Sequence, residues 1–200
     1  MTNLGQPRRL TECKWLNLFR IDYVTAKGKE GRWIFASRKQ QPRLGPAPMI
    51  PDAVMIVPLL KDGRTRQLVV IKEFRVPLGD YEYGFPAGLY DHNETAEEVA
   101  RRELNEETGL KMTKLLYVGP PAASSAGLSD EAVVYVVCEC TGQISNAGNE
   151  ATEDITVELL DLEGVKALRN SLHKISAKAL PFLLMFEGMG KVAWPKHMTR

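Results

Sequence analysis

Two hundred residues, 44% of them hydrophobic and 26% charged, suffice for one full domain with a real core. A formal net charge of +1 excludes a global field that would draw the chain to nucleic acid or to an anionic membrane. The longest apolar runs, such as Ala132 to Cys138, are far too short to span a bilayer, and residues 1–9 hold no apolar signal core, so the expected setting is the cytoplasm.

Residues 14–25 alternate and carry β-formers, residues 26–31 turn the chain, and residues 32–38 return as a second strand. Such a hairpin is marginal in water and needs another surface to cover it. Residues 39–51, rich in Pro and Arg, read as a linker. The expected division is therefore an N-terminal hairpin region and linker over 1–50 and a second domain over 51–200. Ala53 to Leu60 and Gln67 to Phe74 are the next strands, joined by a turn at Lys61-Asp62-Gly63-Arg64. Residues 81–86 lead to a tight bend at Gly84-Phe85-Pro86-Ala87-Gly88. A helix is expected over 95–108, then strands at Lys114 to Val118 and Glu131 to Cys140, with a long small-residue loop between them. A polar loop over 141–154 precedes a last strand, Ile155 to Leu160, and helices over 162–170 and 175–187 close the pattern. Mixed strands with terminal helices give an α/β or α+β sandwich.

The helix over 95–108 holds the chemistry. Ala96, Val99, Ala100 and Leu104 form its apolar stripe, and Gly109 supplies a C-cap. Six glutamates, Glu94, Glu97, Glu98, Glu103, Glu106 and Glu107, crowd 14 residues. Glu103 and Glu107 lie one turn apart with Glu106 beside both, and such like charges repel. A hard divalent cation relieves that repulsion, and clustered carboxylates are the ligands it takes; the backbone carbonyl of the preceding bend is a candidate to join them. A solvated acidic helix face is the competing reading. Cys13, Cys138 and Cys140 give no disulfide framework, and the histidines, including His92 in the loop, show no metal-ligand spacing.

Gly88, Glu94, Arg102, Glu103, Leu104, Glu106, Glu107, Gly109 and Leu110 fit the Nudix box, G-x5-E-x7-R-E-U-x-E-E-x-G-U, at every fixed position. The chain thus resembles the Nudix hydrolases. The resemblance implies an α/β/α sandwich with a mixed sheet, a strand-loop-helix catalytic motif and metal-dependent pyrophosphate hydrolysis. The N-terminal hairpin, Glu73-Phe74-Arg75, the loop ending Gly127-Leu128-Ser129-Asp130-Glu131, and Glu153-Asp154-Ile155 look like the ADP-ribose and nucleoside-diphosphate-sugar branch. In that branch the N-terminal strands pair across a two-fold, so a homodimer is implied. Two positions depart from it: Gly84 stands where the branch usually has Glu, and Ala126 where ADP-ribose hydrolases usually have Pro. The implied substrates are therefore nucleotide sugars as a group rather than ADP-ribose alone.

Roles follow from the resemblance and from side-chain chemistry. Glu103, Glu107 and the Ala87 carbonyl are expected to hold Mg²⁺ (Mn²⁺ being possible), with Glu106 for a second ion. Arg102 reads as an internal partner orienting Glu94 or Glu98. Glu153 leads as the water-activating base, with Glu150 as the fallback. Arg75 is the candidate phosphate clamp. Trp15, Phe19 and Trp33 are read first as hairpin core, with stacking on a base as their functional reading and Trp33 the candidate substrate contact. Two rival functions remain: a house-cleaning nucleoside triphosphate pyrophosphatase and a non-catalytic nucleotide-binding module.

Overall fold

The computed structural model describes residues 3–62, 65–91, 93–149 and 151–191. His92, Glu150, His197 and the Gly63-Arg64 turn lie outside them. The chain divides into two compact units: Met1–Asp52 with Pro121–Val133, and Ala53–Pro120 with Val134–Arg200.

In the first unit, β1 (Asn3–Leu4) and β2 (Arg8–Arg9) pair with β3 (Asn17–Val24), and β4 (Glu30–Ser37) forms the expected hairpin with β3. Phe19 lies opposite Phe35, and Ile21 opposite Trp33. Phe19, Ile21 and Phe35 make a small buried cluster, with the two phenyl rings stacked at 5.8 Å. The tryptophans correct the core reading. Trp15 is 71% exposed and Trp33 49% exposed, so only Phe19 of the three aromatics is core. The segment 121–133 completes this unit: Ala36 donates its N–H to Leu128 O, and Lys39 Nζ bridges Asp52 (3.0 Å) and Asp130 (3.4 Å).

The second unit contains β5 (Ala53–Asp62), β6 (Thr65–Arg75), β7 (Asp80–Gly84), β8 (Ala87–Leu89), β9 (Lys111–Val118), β12 (Ile155–Leu160) and β13 (Lys174–Ile175). The chain enters it from β10 (Ala122–Ala123) along β11 (Ala132–Thr141). The central order is β11-β5-β6-β7-β13, with β9 on β11, β8 on β5 and β12 on β6. β9 pairs β11, β6 and β8 pair β5, and β7 and β12 pair β6, all antiparallel, while β13 pairs β7 in parallel, so the sheet is mixed. Helix α1 (Ala96–Thr108) covers one face: Val99, Ala100 and Leu104 pack with Val54, Ile56, Val134, Val136 and Cys138. Alternation along β11 turns Tyr135 to the other face. There its ring meets Phe182 of α3 (Leu180–Met189) at 5.2 Å, and Phe182 also meets Phe85 edge-on. Helix α2 (Leu162–Arg169) is tied to α3 by the two-pronged Arg169–Glu187 pair. Helices on both faces of a mixed sheet make the expected α/β/α sandwich. No described helix is long and apolar enough to cross a membrane.

The third helix begins later than the period suggested. Residues 175–179 are not helical: Ile175 belongs to β13 and Ser176 donates its N–H to Tyr83 O. Pro181 lies in the first turn, where its missing donor costs nothing.

Candidate active site

Helix α1 starts where its sequence says it should. Thr95 accepts a hydrogen bond from Glu98 N–H (3.3 Å), and Glu98 Oε2 accepts one from Thr95 N–H (2.7 Å), a complete capping box. Glu98 is therefore not the partner of Arg102. That role falls to Glu94, the other candidate, whose two oxygens lie 3.0 Å from Arg102 Nε and Nη2. The guanidinium beside Glu94 holds that carboxyl below the usual range. The pairing spans eight residues, so it fixes the loop after β8 against the helix. Gly109 ends the helix at φ 74°, in the left-handed region that favours glycine.

Glu103, Glu106 and Glu107 share the end of this helix but differ in environment. Glu106 is the most open, its side chain 45% exposed. Glu103 is largely covered, its side chain 13% exposed, and burial pushes its carboxyl up despite Arg102. Glu107 is buried at 4% exposure, and its Oε2 has no hydrogen-bond partner. Burial first, then the charges of Glu103, Glu73 and Glu153, push it up to about 9; a backbone hydrogen bond at Ala87 works the other way. An unpaired buried carboxylate oxygen beside further carboxylates is a costly arrangement that a hard cation would relieve.

Among the described residues no three carboxylate, imidazole or thiol side chains stand gathered as a ready cage for a metal. Arg102 engages two of the three helix carboxylates. Its Nη1 takes Glu103 Oε1 at 2.6 Å and Glu106 Oε2 at 3.2 Å, turning both toward the guanidinium. The donor set is all oxygen and its least accessible member is unpaired, so these residues fit a hard divalent cation in kind.

Gly88 explains a fixed position of the box. A Cβ there would lie 1.7 Å from Glu103 Oε1, so the strand backbone and the glutamate side chain occupy adjoining space that only glycine leaves open. Ala87, beside it on β8, pairs with Met55 and abuts Glu107.

The other expected site residues of this unit gather at the ends of β6, β7 and β12. Arg75 Nη1 lies 2.5 Å from Glu73 Oε1, and its Nε 3.8 Å from Glu82. Glu73 stands opposite Glu82 on one side and Ile155 on the other. Burial pushes its carboxyl up, Arg75 pulls it down, and Glu153 and Glu82 push again. Glu73 is thus a carboxylate of this region to which the sequence alone assigns no role. Strand alternation, which puts residues 73 and 75 on one face, was the available signal. Glu153 acts on Glu73, Glu103 and Glu107 alike, so one carboxylate field joins the loop to α1. Trp33 lies in the first unit, half exposed.

The NUDIX domain model matches residues 49–183. ADP-ribose pyrophosphatase of Saccharomyces cerevisiae is 30% identical over 169 residues, covering 84% of this chain and 68% of the yeast protein. ADP-sugar pyrophosphatase of Mus musculus is 33% identical over 141 residues, 70% of this chain and 61% of the mouse protein. A crystal structure of an ADP compounds hydrolase superposes with a TM-score of 0.72 at 21% identity, covering 96% of this chain and 97% of that one; it shares the fold. The chain belongs to the Nudix family. Within it, the complete box and these relatives make it a Nudix hydrolase, a class whose chemistry generally uses a divalent metal.

Proposed function

We propose that the protein hydrolyses the pyrophosphate bond of a nucleoside diphosphate sugar such as ADP-ribose, releasing a nucleoside monophosphate and a sugar phosphate. The observation that carries this reading is the buried, unpaired Oε2 of Glu107 on a helix that also presents Glu103 and Glu106. Glu103, Glu107 and the Ala87 carbonyl would hold Mg²⁺ or Mn²⁺, with Glu106 serving a second ion. A metal held there would supply Lewis-acid chemistry, offsetting phosphate charge and favouring loss of a proton from water. The protein's own groups do the rest. Arg75 binds a phosphate oxygen, which means exchanging a contact with Glu73 or Glu82 for one with substrate. Glu153 accepts the proton from the attacking water. Arg102 keeps Glu94 and the loop after β8 in register with α1. Activity should vanish in excess EDTA and return with Mg²⁺ or Mn²⁺; undiminished turnover in EDTA would overturn the metal reading.

The reading extends to a homodimer formed through the first unit. Its sheet carries Leu18, Trp33 and Ile34 at 42%, 49% and 54% exposure, with Leu4, Leu10 and Leu16 similarly open. Where exposed apolar residues join into one patch they mark an interface, and these are the residues such a patch on this sheet would draw on. A dimer covers the hairpin, and Trp33 then becomes available to stack on a base. Free Cys13, Cys138 and Cys140 suit a reducing compartment such as the cytoplasm. Light scattering should give twice the mass of one chain, and deleting residues 1–38 should abolish both dimer and activity. A monomer with full activity contradicts this part.

A further inference from the structure

The long loop between β11 and β12 carries Glu153, and it is fastened at both ends. Near its start, Ser145 donates its N–H to Thr108 O at the end of α1 (3.0 Å). Gly148 lies against the same helix so closely that a Cβ would stand 2.6 Å from Glu106 O. Asn146 Nδ2 donates to Ile155 O (3.1 Å), drawing the two ends of the loop together. At its far end, Asp154 meets two groups from neighbouring strands. Its carbonyl accepts from Phe74 N–H of β6 (3.0 Å), and its carboxylate accepts from the Tyr81 hydroxyl of β7 (2.5 Å).

Tyr81 is itself held. Its ring packs edge-on against Phe74, centroids 5.4 Å apart, and Lys72 Nζ stands 4.8 Å over its face. Phe74 and Tyr81 are cross-strand partners in the β6–β7 ladder. The hydroxyl thus reaches Asp154 from a rigid platform, and the residue it fixes is the immediate neighbour of Glu153. A side chain so anchored gives its neighbour a defined position, whereas a loop end tied by one backbone bond alone would sample several.

We propose that Tyr81 is a positioning residue for the hydrolysis: by clasping Asp154 it holds Glu153 facing the carboxylates of α1. The proposal rests on the assignment of Glu153 as the base. The hydroxyl donates, so Asp154→Asn, which keeps an acceptor oxygen, preserves the clasp, and Asp154→Ala breaks it as Tyr81→Phe does.

The test is steady-state kinetics with ADP-ribose and Mg²⁺ on Tyr81→Phe, Asp154→Asn, Asp154→Ala and Glu153→Gln, together with Tyr81→Phe in the Glu153→Gln background. Hydrogen exchange over residues 151–155 is measured in parallel. Tyr81→Phe should lower kcat about tenfold and leave KM within about threefold, because a displaced base slows the chemical step and leaves ground-state binding in place. Asp154→Asn should stay near wild type, and Asp154→Ala should match Tyr81→Phe. In the Glu153→Gln background the Tyr81 substitution should cost nothing more, since groups acting as one unit are not additive. A full additional loss in that background, or wild-type kcat in Tyr81→Phe, overturns the proposal. If Glu153→Gln itself retains wild-type kcat, the base assignment fails. The exchange data then judge the clasp alone: faster exchange in Tyr81→Phe upholds it, and unchanged exchange overturns it.

Discussion

Replacing Glu107 by Gln lowers kcat at least ~10²-fold while the fold survives, because losing one preorganised charge contact in a transition state costs roughly 2.7 kcal/mol or more. The side chain is buried with one oxygen unpaired, so the amide fits the same space and removes only the charge. The pH dependence follows with a definite sign. Glu107's carboxyl sits at about 9 in the metal-free fold against an ordinary 4.5. A carboxyl raised on folding binds its proton more tightly in the native state. Its stabilising contribution is complete below the unfolded value and is lost as pH rises toward 9. Thermal melts of the metal-free protein should therefore fall between about pH 5 and pH 9, and Glu107→Gln should flatten that fall. Mg²⁺ should restore stability most at the alkaline end, since the ion displaces the proton. Equal melts with and without Mg²⁺ at pH 8, or near-wild-type turnover in Glu107→Gln, would remove Glu107 from the metal centre. Glu97→Gln is the control: Glu97 pairs with Arg101 on the helix surface and should be close to neutral.

The second large effect comes from a methyl group. Gly88→Ala places a Cβ where Glu103 Oε1, Cδ and Cγ now lie, at 1.7, 1.9 and 2.5 Å. The obstructed atoms are the far end of a flexible side chain, so the chain folds and Glu103 swings away from its place beside Arg102 and Glu107. Expected are a kcat loss on the order of 10²-fold, as for removal of one charge contact, and weaker Mn²⁺ binding by titration calorimetry. The melting temperature in EDTA should change little. A large drop in that temperature with unaltered Mn²⁺ affinity would make Gly88 a packing residue and nothing more.

How much of this was legible beforehand depends on which signal a residue carries. Helix α1 was readable nearly to the residue, since apolar period and terminal glycine agreed, and the Thr95 cap that fixes its start adds to them. The two-residue strands β1 and β2 left no period to detect, being shorter than one alternation. Trp15 and Trp33 looked like core because hydrophobicity tells which residues seek cover and not which find it. Arg102 was seen as an internal partner, but Glu98 competed with Glu94 for it until the capping box claimed Glu98. Tyr81 and Asp154 meet across 73 residues, a contact that strand order alone creates and no local pattern announces.

The proposed reaction is pyrophosphate hydrolysis of a nucleotide sugar at the carboxylate face of α1. Its most direct test is product analysis after incubating the protein with Mg²⁺ and a panel of nucleotide sugars and nucleoside triphosphates, with and without EDTA. A nucleoside monophosphate and a sugar phosphate should appear from one or more nucleotide sugars, ADP-ribose among the candidates, with no release in EDTA. Inorganic pyrophosphate from triphosphates with every nucleotide sugar left intact, or no turnover of any compound, would contradict it.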